Sequence, residues 1–418
     1  MRLSFKFKPK FTDKQLEIVK ELSWHTTKLY NIVNYEVRNN EDIKPVYTQL
    51  EKQFKSNWHN DFLHSHNRQQ ALKQLAQDWK SYFASIKDYK KNPSKYKGQP
   101  RPPKFKNMDR NPNEIIFTNL ATRVRDRDNH LLLSLAKTIK SEYNVKSLKF
   151  ELPLAVQSII DLETIQQVRV KQDKLSKEWY LLIIYKVEEV KENNNSNIMS
   201  IDLGLDNLAT LTFKDNSESY IMNGKAIKSK NSYFNKEIAK LQSIRMKQLG
   251  TSKVKDTKQI RGLRLKKRNY VKDYLHKVSR KIIDLAIQQG VSTIIIGDLK
   301  NIKQGNSLKY FVQIPIQRLV ELIEYKAELE GIKVVKINES YTSGCSSIDL
   351  EKLNKSNYDK SRRIARGLFK TGNKLINADV NGSLNIMRKY LKDKCIPKML
   401  KQIRDNGLVA SPKRIRIS

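Results

Sequence analysis

Cysteine is nearly missing from this 418-residue chain. Only Cys345 and Cys395 are present, too few for a disulfide framework or a four-cysteine zinc site, and their scarcity fits a reducing cytoplasm. Acid is also scarce: 43 Asp and Glu face 81 Lys and Arg, leaving a formal net charge of +38, the signature of a protein that binds polyanions. Long apolar runs are absent. WYLLIIY at 179–185 falls far short of the roughly 20 residues a bilayer requires, so no membrane span or membrane partner is expected. The opening MRLSFKFKPKF lacks the apolar block of a signal peptide; it alternates apolar and basic residues and reads as a first strand. What is present suffices for cores: 39% hydrophobic residues exclude wholesale disorder even with 30% charged, and the length suits two to four units at roughly 150 residues each.

Thr12 stands three residues before Gln15, a capping-box spacing that predicts a helix start. Leu16, Val19, Trp24, Leu29 and Val33, then Leu72, Leu75, Trp79, Tyr82, Phe83 and Ile86, recur at helical spacing, so 12–87 reads as a helical module. The following KDYKKNPSKYKGQPRPPKFK cannot continue a helix, because its prolines lack donors and fix φ. Strand-like runs at 115–118, 131–135, 145–152, 165–170 and 179–187 join residues 3–7 in an expected antiparallel β-barrel. Residues 1–11 would be its first strand, 12–87 an insertion, and 88–190 a basic connector and the rest of the barrel. KENNNSN at 191–197 then breaks the pattern. From 198 to 390 strands alternate with helices: IMSIDLGL, further strands to about 222, helices to about 290, STIIIGDL, a helix at 316–329, IKVVKI, and a helix from near 378. That order predicts an α/β layer with a mixed sheet, followed by a basic tail at 391–418.

Two acids stand out in the second half. Asp202 interrupts an apolar strand, where a bare carboxylate costs several kcal/mol to desolvate, and metal ligation removes that cost. Asp206 suits a turn cap better. Asp379 lies near the start of a helix, where the dipole would favour a purely structural Asp as well.

IDLGLDNLAT, LHKVSR, ESYTSGCSS, RGLFK and INADVNGSLNI, in that order, resemble the TnpB family of transposon-encoded RNA-guided endonucleases, historically called OrfB-type transposases. The resemblance implies a ribonuclease H-like (RuvC) nuclease domain over 198–390, with a basic helical segment at 231–290 and a degenerate zinc-finger region at 340–377. It implies an N-terminal wedge β-barrel carrying a helical recognition domain, kinship with type V CRISPR effectors, a guide RNA from the transposon end, and a target in double-stranded DNA. The setting would be the prokaryotic cytoplasm and nucleoid. In most such proteins a glutamate ends the strand that here reads IIIGDL, and its position is Gly297. Asp298 is one residue on, so alternation points it to the other face. Glu339, ending the next strand, would replace the missing acid if the two strands are parallel neighbours, about 4.8 Å apart. Asp202, Glu339 and Asp379 would then be the catalytic ligands of two Mg²⁺ ions, and a subset of TnpB-like sequences shares this relocated glutamate. The paired CxxC elements of relatives are reduced to Cys345, so no structural zinc is expected. Arg366 in RGLFK would contact a scissile phosphate or serve as a structural arginine.

The predicted nucleic-acid contacts are Lys90, Lys91, Lys95, Arg101 and Lys104 in a connector that also carries Tyr89, Tyr96 and Phe105, and Arg264, Lys266, Lys267, Arg268, Lys272, Lys277 and Arg280 on a helix whose apolar stripe runs through Val271, Leu275, Val278, Ile282 and Leu285. The connector composition equally suits a flexible loop. Trp24 and Trp58 could stack on bases, whereas Trp79 belongs to an apolar stripe. The expected assembly is a monomeric protein in a ribonucleoprotein that cleaves DNA. Its rivals are a nuclease-inactive RNA-guided binder, since Gly297 stands where an acid is usual, and a general nucleic-acid chaperone.

Overall fold

The structure is a computed structural model that describes residues 1–125, 129–298, 314–365, 367–406 and 411–417. Two compact units divide the chain, Met1–Glu188 and Glu189–Ser418.

In the first unit β1 (Arg2–Phe7) leads into the predicted capping box: Gln15 N–H donates to Thr12 Oγ1 at 3.2 Å and Thr12 N–H to Gln15 Oε1 at 2.9 Å. There α1 (Asp13–Asn39) begins, followed by α2 (Tyr47–Gln53) and α3 (Ser65–Lys91). The remaining elements are β2 (Ile115–Thr118), β3 (Thr122–Arg125), β4 (His130–Ser134), α4 (Lys137–Glu142), β5 (Ser147–Glu151), α5 (Leu154–Ile159), β6 (Ile165–Gln172) and β7 (Trp179–Lys186). The strands divide between two antiparallel sheets, β1-β7-β6-β2 and β3-β4-β5, around one core. Along β7 the alternation is regular: Trp179, Leu181, Ile183 and Tyr185 are buried. That face packs in the same cluster as Leu22, Tyr30, Leu72 and Leu75 of the helices.

The connector is ordered at its proline-rich end. Asn31 of α1 exchanges two hydrogen bonds with the Lys106 backbone (2.9 and 2.8 Å), Asn34 donates to the Pro103 carbonyl at 2.9 Å, and the Arg38 guanidinium lies 4.6 Å from the Phe105 ring centre. Residues 103–106 are therefore a strap on α1, which sequence alone left open. Lys90 and Lys91 form the last turn of α3, and Lys95 pairs with Asp88 at 3.6 Å. Trp79 is buried and donates to Asn34 Oδ1 at 3.0 Å, while Trp58 is 54% exposed and meets Trp24 edge to face.

Beneath Trp58, His25 Nδ1 and His59 Nδ1 are 2.9 Å apart, close enough for one proton between them but not two charges. Burial, then the His59 charge, pushes His25 down to about 4. Its folded value lies below the unfolded one, so its contribution is complete above pH 6.5 and fades as pH falls toward 4. About 2 kcal/mol of first-unit stability should be lost between pH 7 and 5. Urea unfolding followed by tryptophan fluorescence should show that slope, and His25→Gln should flatten it.

In the second unit β8 (Asn197–Leu203), β9 (Asn207–Phe213) and β10 (Ser219–Asn223) form an antiparallel meander. The long helices α6 (Lys225–Leu249) and α7 (Lys258–Gln288) follow, then β11 (Val291–Asp298), α8 (Ile316–Leu329) and β12 (Lys333–Asn338). β13 (Leu368–Thr371) and β14 (Lys374–Asn377) make a small hairpin before α9 (Ala378–Leu391), α10 (Lys398–Asn406) and β15 (Lys413–Ile415). The mixed sheet has the order β12-β11-β8-β9-β10-β15, with β11 parallel to both β8 and β12. α7 buries Leu275, Val278, Ile282 and Leu285 as its stripe predicts, joined by Tyr274, while Val271 is only partly buried. The alternating KRIRI of the basic tail supplies an edge strand parallel to β10. No helix among the described residues is long and apolar enough to cross a membrane.

Candidate active site

β8 and β11 are parallel neighbours in register up to Ile201 and Ile296, so the next residues, Asp202 and Gly297, emerge side by side. Alternation sends both to the face covered by α9. Gly382 of α9 lies directly over the acid, for a Cβ there would meet Asp202 Oδ2 at 2.8 Å. Gly297 is covered differently. A Cβ on it would fall 2.4 Å from Glu339 Oε2, 3.3 Å from Glu339 Cβ and 3.2 Å from Ile386 Cδ1. Because β11 and β12 run parallel with Gly297 opposite Ile337 and Asp298 opposite Asn338, Glu339 leaves the strand end and folds its carboxylate back over the glycine. It fills the volume a side chain at 297 would need.

Asp379 comes from the second residue of α9. The capping role belongs to Asn377, whose Oδ1 accepts from the N–H groups of Asp379 (3.0 Å) and Val380 (3.2 Å). The Asp379 carboxylate instead accepts from Arg363 Nη2 at 2.7 Å and Asn207 Nδ2 at 2.5 Å, and Arg414 of β15 donates to Asn207 Oδ1 at 3.2 Å.

Electrostatics join the three acids. Burial first, then Asp379 and Glu339, raise the Asp202 carboxyl well above its usual range, against an opposing pull from Arg363. Glu339 is raised by burial and by the charge of Asp298. So Asp298, although placed on the other face by alternation, acts on the same rim. Crowded carboxylates that hold protons against their normal preference are relieved by a hard cation, and oxygen donors of this kind suit Mg²⁺. As the side chains stand, no three His, Cys, Asp or Glu among the described residues are gathered closely enough to hold a metal ion. Asp379 has Arg363 as its counter-charge instead.

Arg363 and Asn207 are contacts that sequence reasoning missed. Asn207 ends the LDN of the Asp202 motif, a signal that was available, whereas nothing in SRRIARGLFK separates Arg363 from its neighbours. Arg366, the arginine singled out from sequence, lies outside the described residues. Among the α7 cations, Arg264 pairs with Asp256 at 2.7 Å, Lys277 with Asp273 at 3.1 Å and Arg280 with Asp284 at 2.7 Å and Glu330 at 3.1 Å; Lys267 donates to Asn235 Oδ1 at 2.7 Å. Lys266, Arg268 and Lys272 are exposed on the same helix, and Arg101 and Lys104 in the connector. Surface pairs of this kind are worth at most about 1 kcal/mol, so they hold these cations only weakly.

Residues 182–303 match the family model described as "Probable transposase" (OrfB_IS605), and residues 317–386, which span Glu339 and Asp379, match "Cas12f1-like, TNB domain". Over 362 residues the chain is 29% identical to the CRISPR-associated endodeoxyribonuclease Cas12f1 of Sulfoacidibacillus thermotolerans, covering 81% of this chain and 80% of the relative. It is 25% identical over 404 residues to the TnpB-like protein ORF457 of Acidianus two-tailed virus, covering 91% and 84%. The cryo-EM structure of a Cas12f1–sgRNA–target DNA complex matches with a TM-score of 0.57 at 16% identity, over 90% of this chain and 83% of that one. The likeness is one of fold: a ribonuclease H-like mixed sheet with its helices, preceded in the chain by a unit whose strands form two antiparallel sheets, not the single closed barrel expected from sequence, with a helical insertion after the first strand. The chain is thus similar both to TnpB-like proteins and to Cas12f1.

Proposed function

We propose that this protein is an RNA-guided DNA endonuclease of a transposable element, directed to double-stranded DNA by a guide RNA from the transposon end and a short transposon-adjacent motif. Asp202, Glu339 and Asp379 would hold two Mg²⁺ ions. The observation that carries this reading is the Glu339 carboxylate folded over Gly297, on the face where Asp202 emerges. Once bound, the metal supplies water activation and charge stabilisation of the leaving oxygen in phosphodiester hydrolysis. The sheet holds Asp202 and Glu339 in place. Arg363 neutralises Asp379 at 2.7 Å, a charge role that a bound cation would take over.

The surroundings suit a polyanion. A cavity of about 580 Å³ beside Asp206 is lined by Lys225, Lys228, Lys236, Ser229, Ser232 and Tyr233, a set that can neutralise phosphates and stack a base. Lys228 there pairs with Asp206 at 2.8 Å. Such contacts position nucleic acid without reading it, so sequence choice falls to guide pairing. The working form is one protein chain with its RNA.

The deciding experiment is plasmid cleavage by the protein with its co-purifying RNA, with Mg²⁺ and with chelator. Cleavage restricted to guide-matched plasmid, and abolished by chelator, is expected. A second reading, a nuclease-inactive RNA-guided binder, draws on the pairing of Asp379 with Arg363. Guide-dependent binding with no cleavage at any Mg²⁺ concentration would establish it.

A further inference from the structure

α9 presents Asn381, Asn385 and Arg388 along one face, and all three side chains are fully buried or nearly so. Burying this much polarity is unfavourable unless every group is satisfied: Asp393 pairs with the Arg388 guanidinium at 2.9 Å, and most of the other partners are backbone atoms of the segment that follows Glu339. Asn381 Nδ2 donates to the Cys345 carbonyl at 3.0 Å, and its Oδ1 accepts from Ser347 N–H at 2.9 Å. Arg388 Nη2 donates to the Glu351 carbonyl at 3.0 Å and its Nη1 to Asn385 Oδ1 at 2.9 Å. Held in that way, Asn385 directs its Nδ2 to two carbonyls, Thr342 at 2.9 Å and Cys345 at 2.8 Å.

Thr342 is the link to the candidate site. Its N–H and its Oγ1 both donate to the Glu339 carbonyl, at 3.2 and 2.7 Å. Between them Tyr341 has φ +72°, a left-handed conformation that a bulky side chain avoids and that persists only where neighbours impose it. The turn Glu339–Thr342 is thus closed by Thr342 and anchored through it to Asn385, on the helix that carries Asp379.

We propose that Asn385, acting through Thr342, is a positioning residue for Glu339: it fixes the turn that folds the Glu339 carboxylate over Gly297 beside Asp202. This rests on the reading of Glu339 as a metal ligand. Asn381 serves as the internal comparison, because it holds the same segment at Cys345 and Ser347 without touching Thr342.

The test is Mn²⁺ binding to the full chain with its co-purified RNA, measured by calorimetry without DNA, alongside thermal melting. Asn385→Asp keeps the side-chain shape and the Arg388 contact but removes both donors. Thr342→Val removes the hydroxyl bond to Glu339 with little change in volume, and it carries the test should the buried Asn385→Asp not fold. Each is expected to weaken Mn²⁺ binding by about tenfold, the low end of what outer-shell partners of metal ligands contribute. Asn381→Asp should change it less than about twofold while lowering the melting temperature comparably. Glu339→Gln runs in parallel. If it leaves Mn²⁺ binding unchanged, the reading of the site fails and the positioning role falls with it. If Glu339→Gln weakens binding while Thr342→Val does not, or if Asn381→Asp weakens it as much as Asn385→Asp, the cluster merely folds the segment and the positioning role alone is overturned.

Discussion

Glu339→Gln should lower the single-turnover rate of Mg²⁺-dependent cleavage of a guide-matched plasmid by about 10²–10³-fold, the range for losing one preorganised electrostatic group at a reacting centre. RNA and DNA binding, read by mobility shift, should stay within about twofold, because the cationic residues proposed to neutralise phosphate are elsewhere on the chain. The same substitution should leave the metal-free protein no less stable. Glu339 is one of the two acids whose charge raises Asp202, so removing it relieves repulsion, and the melting temperature should hold or rise. Wild-type cleavage by Glu339→Gln would remove the relocated acid from the site. A variant that neither cuts nor binds would point to misfolding instead.

Gly297→Ala is the complementary experiment, for it reaches the same carboxylate without altering it. The new methyl would stand 2.4 Å from Glu339 Oε2, and the end of a flexible side chain yields before two packed strands do. Glu339 should swing out at a cost to folding of about 1–3 kcal/mol, the usual penalty for overpacking, with Ile386 at 3.2 Å taking part of the strain. Cleavage should fall by about 10²-fold or more, because a displacement of about 1 Å at a reacting group is that damaging. In an Glu339→Ala background, Gly297→Glu returns a carboxylate to β11 on the face of Asp202, and at least a tenfold recovery over Glu339→Ala alone is expected. Gly297→Ala with unaltered cleavage would mean that the volume over residue 297 has no part in the chemistry.

Particular elements show where sequence reasoning carries and where it stops. The capping box at Thr12, the helix at 316–329 and the strands Val291–Asp298 and Lys333–Asn338 rest on local signals: reciprocal cap donors, a 3.6-residue stripe, and short β-branched runs. The parallel pairing of β11 and β12 followed from the helix between them, since parallel neighbours need a crossover. The tail strand β15 was not legible, because a three-residue run with two exposed cations gains strand character only from the free edge of β10. Nor was the strap at 103–106, whose hydrogen bonds come from asparagines more than sixty residues away. Arg363 was missed for the same reason: its partner Asp379 lies sixteen residues on, beyond a hairpin, and composition cannot say which of several arginines the fold brings to it.

By itself, then, the sequence determined a cationic chain suited to polyanions through its excess of Lys and Arg, the alternation of strands and helices through apolar spacing, and the placing of Asp202 and Asp379 as acids in apolar or helix-start settings, all properties carried by neighbours along the chain. Only the tertiary structure decided that Glu339 fills the space over Gly297, that Asp379 is matched by Arg363, and that Asn385 reaches Thr342. Those outcomes depend on strand register and on which helix face meets the sheet, and both are settled when distant segments compete to bury apolar surface and satisfy backbone groups at once.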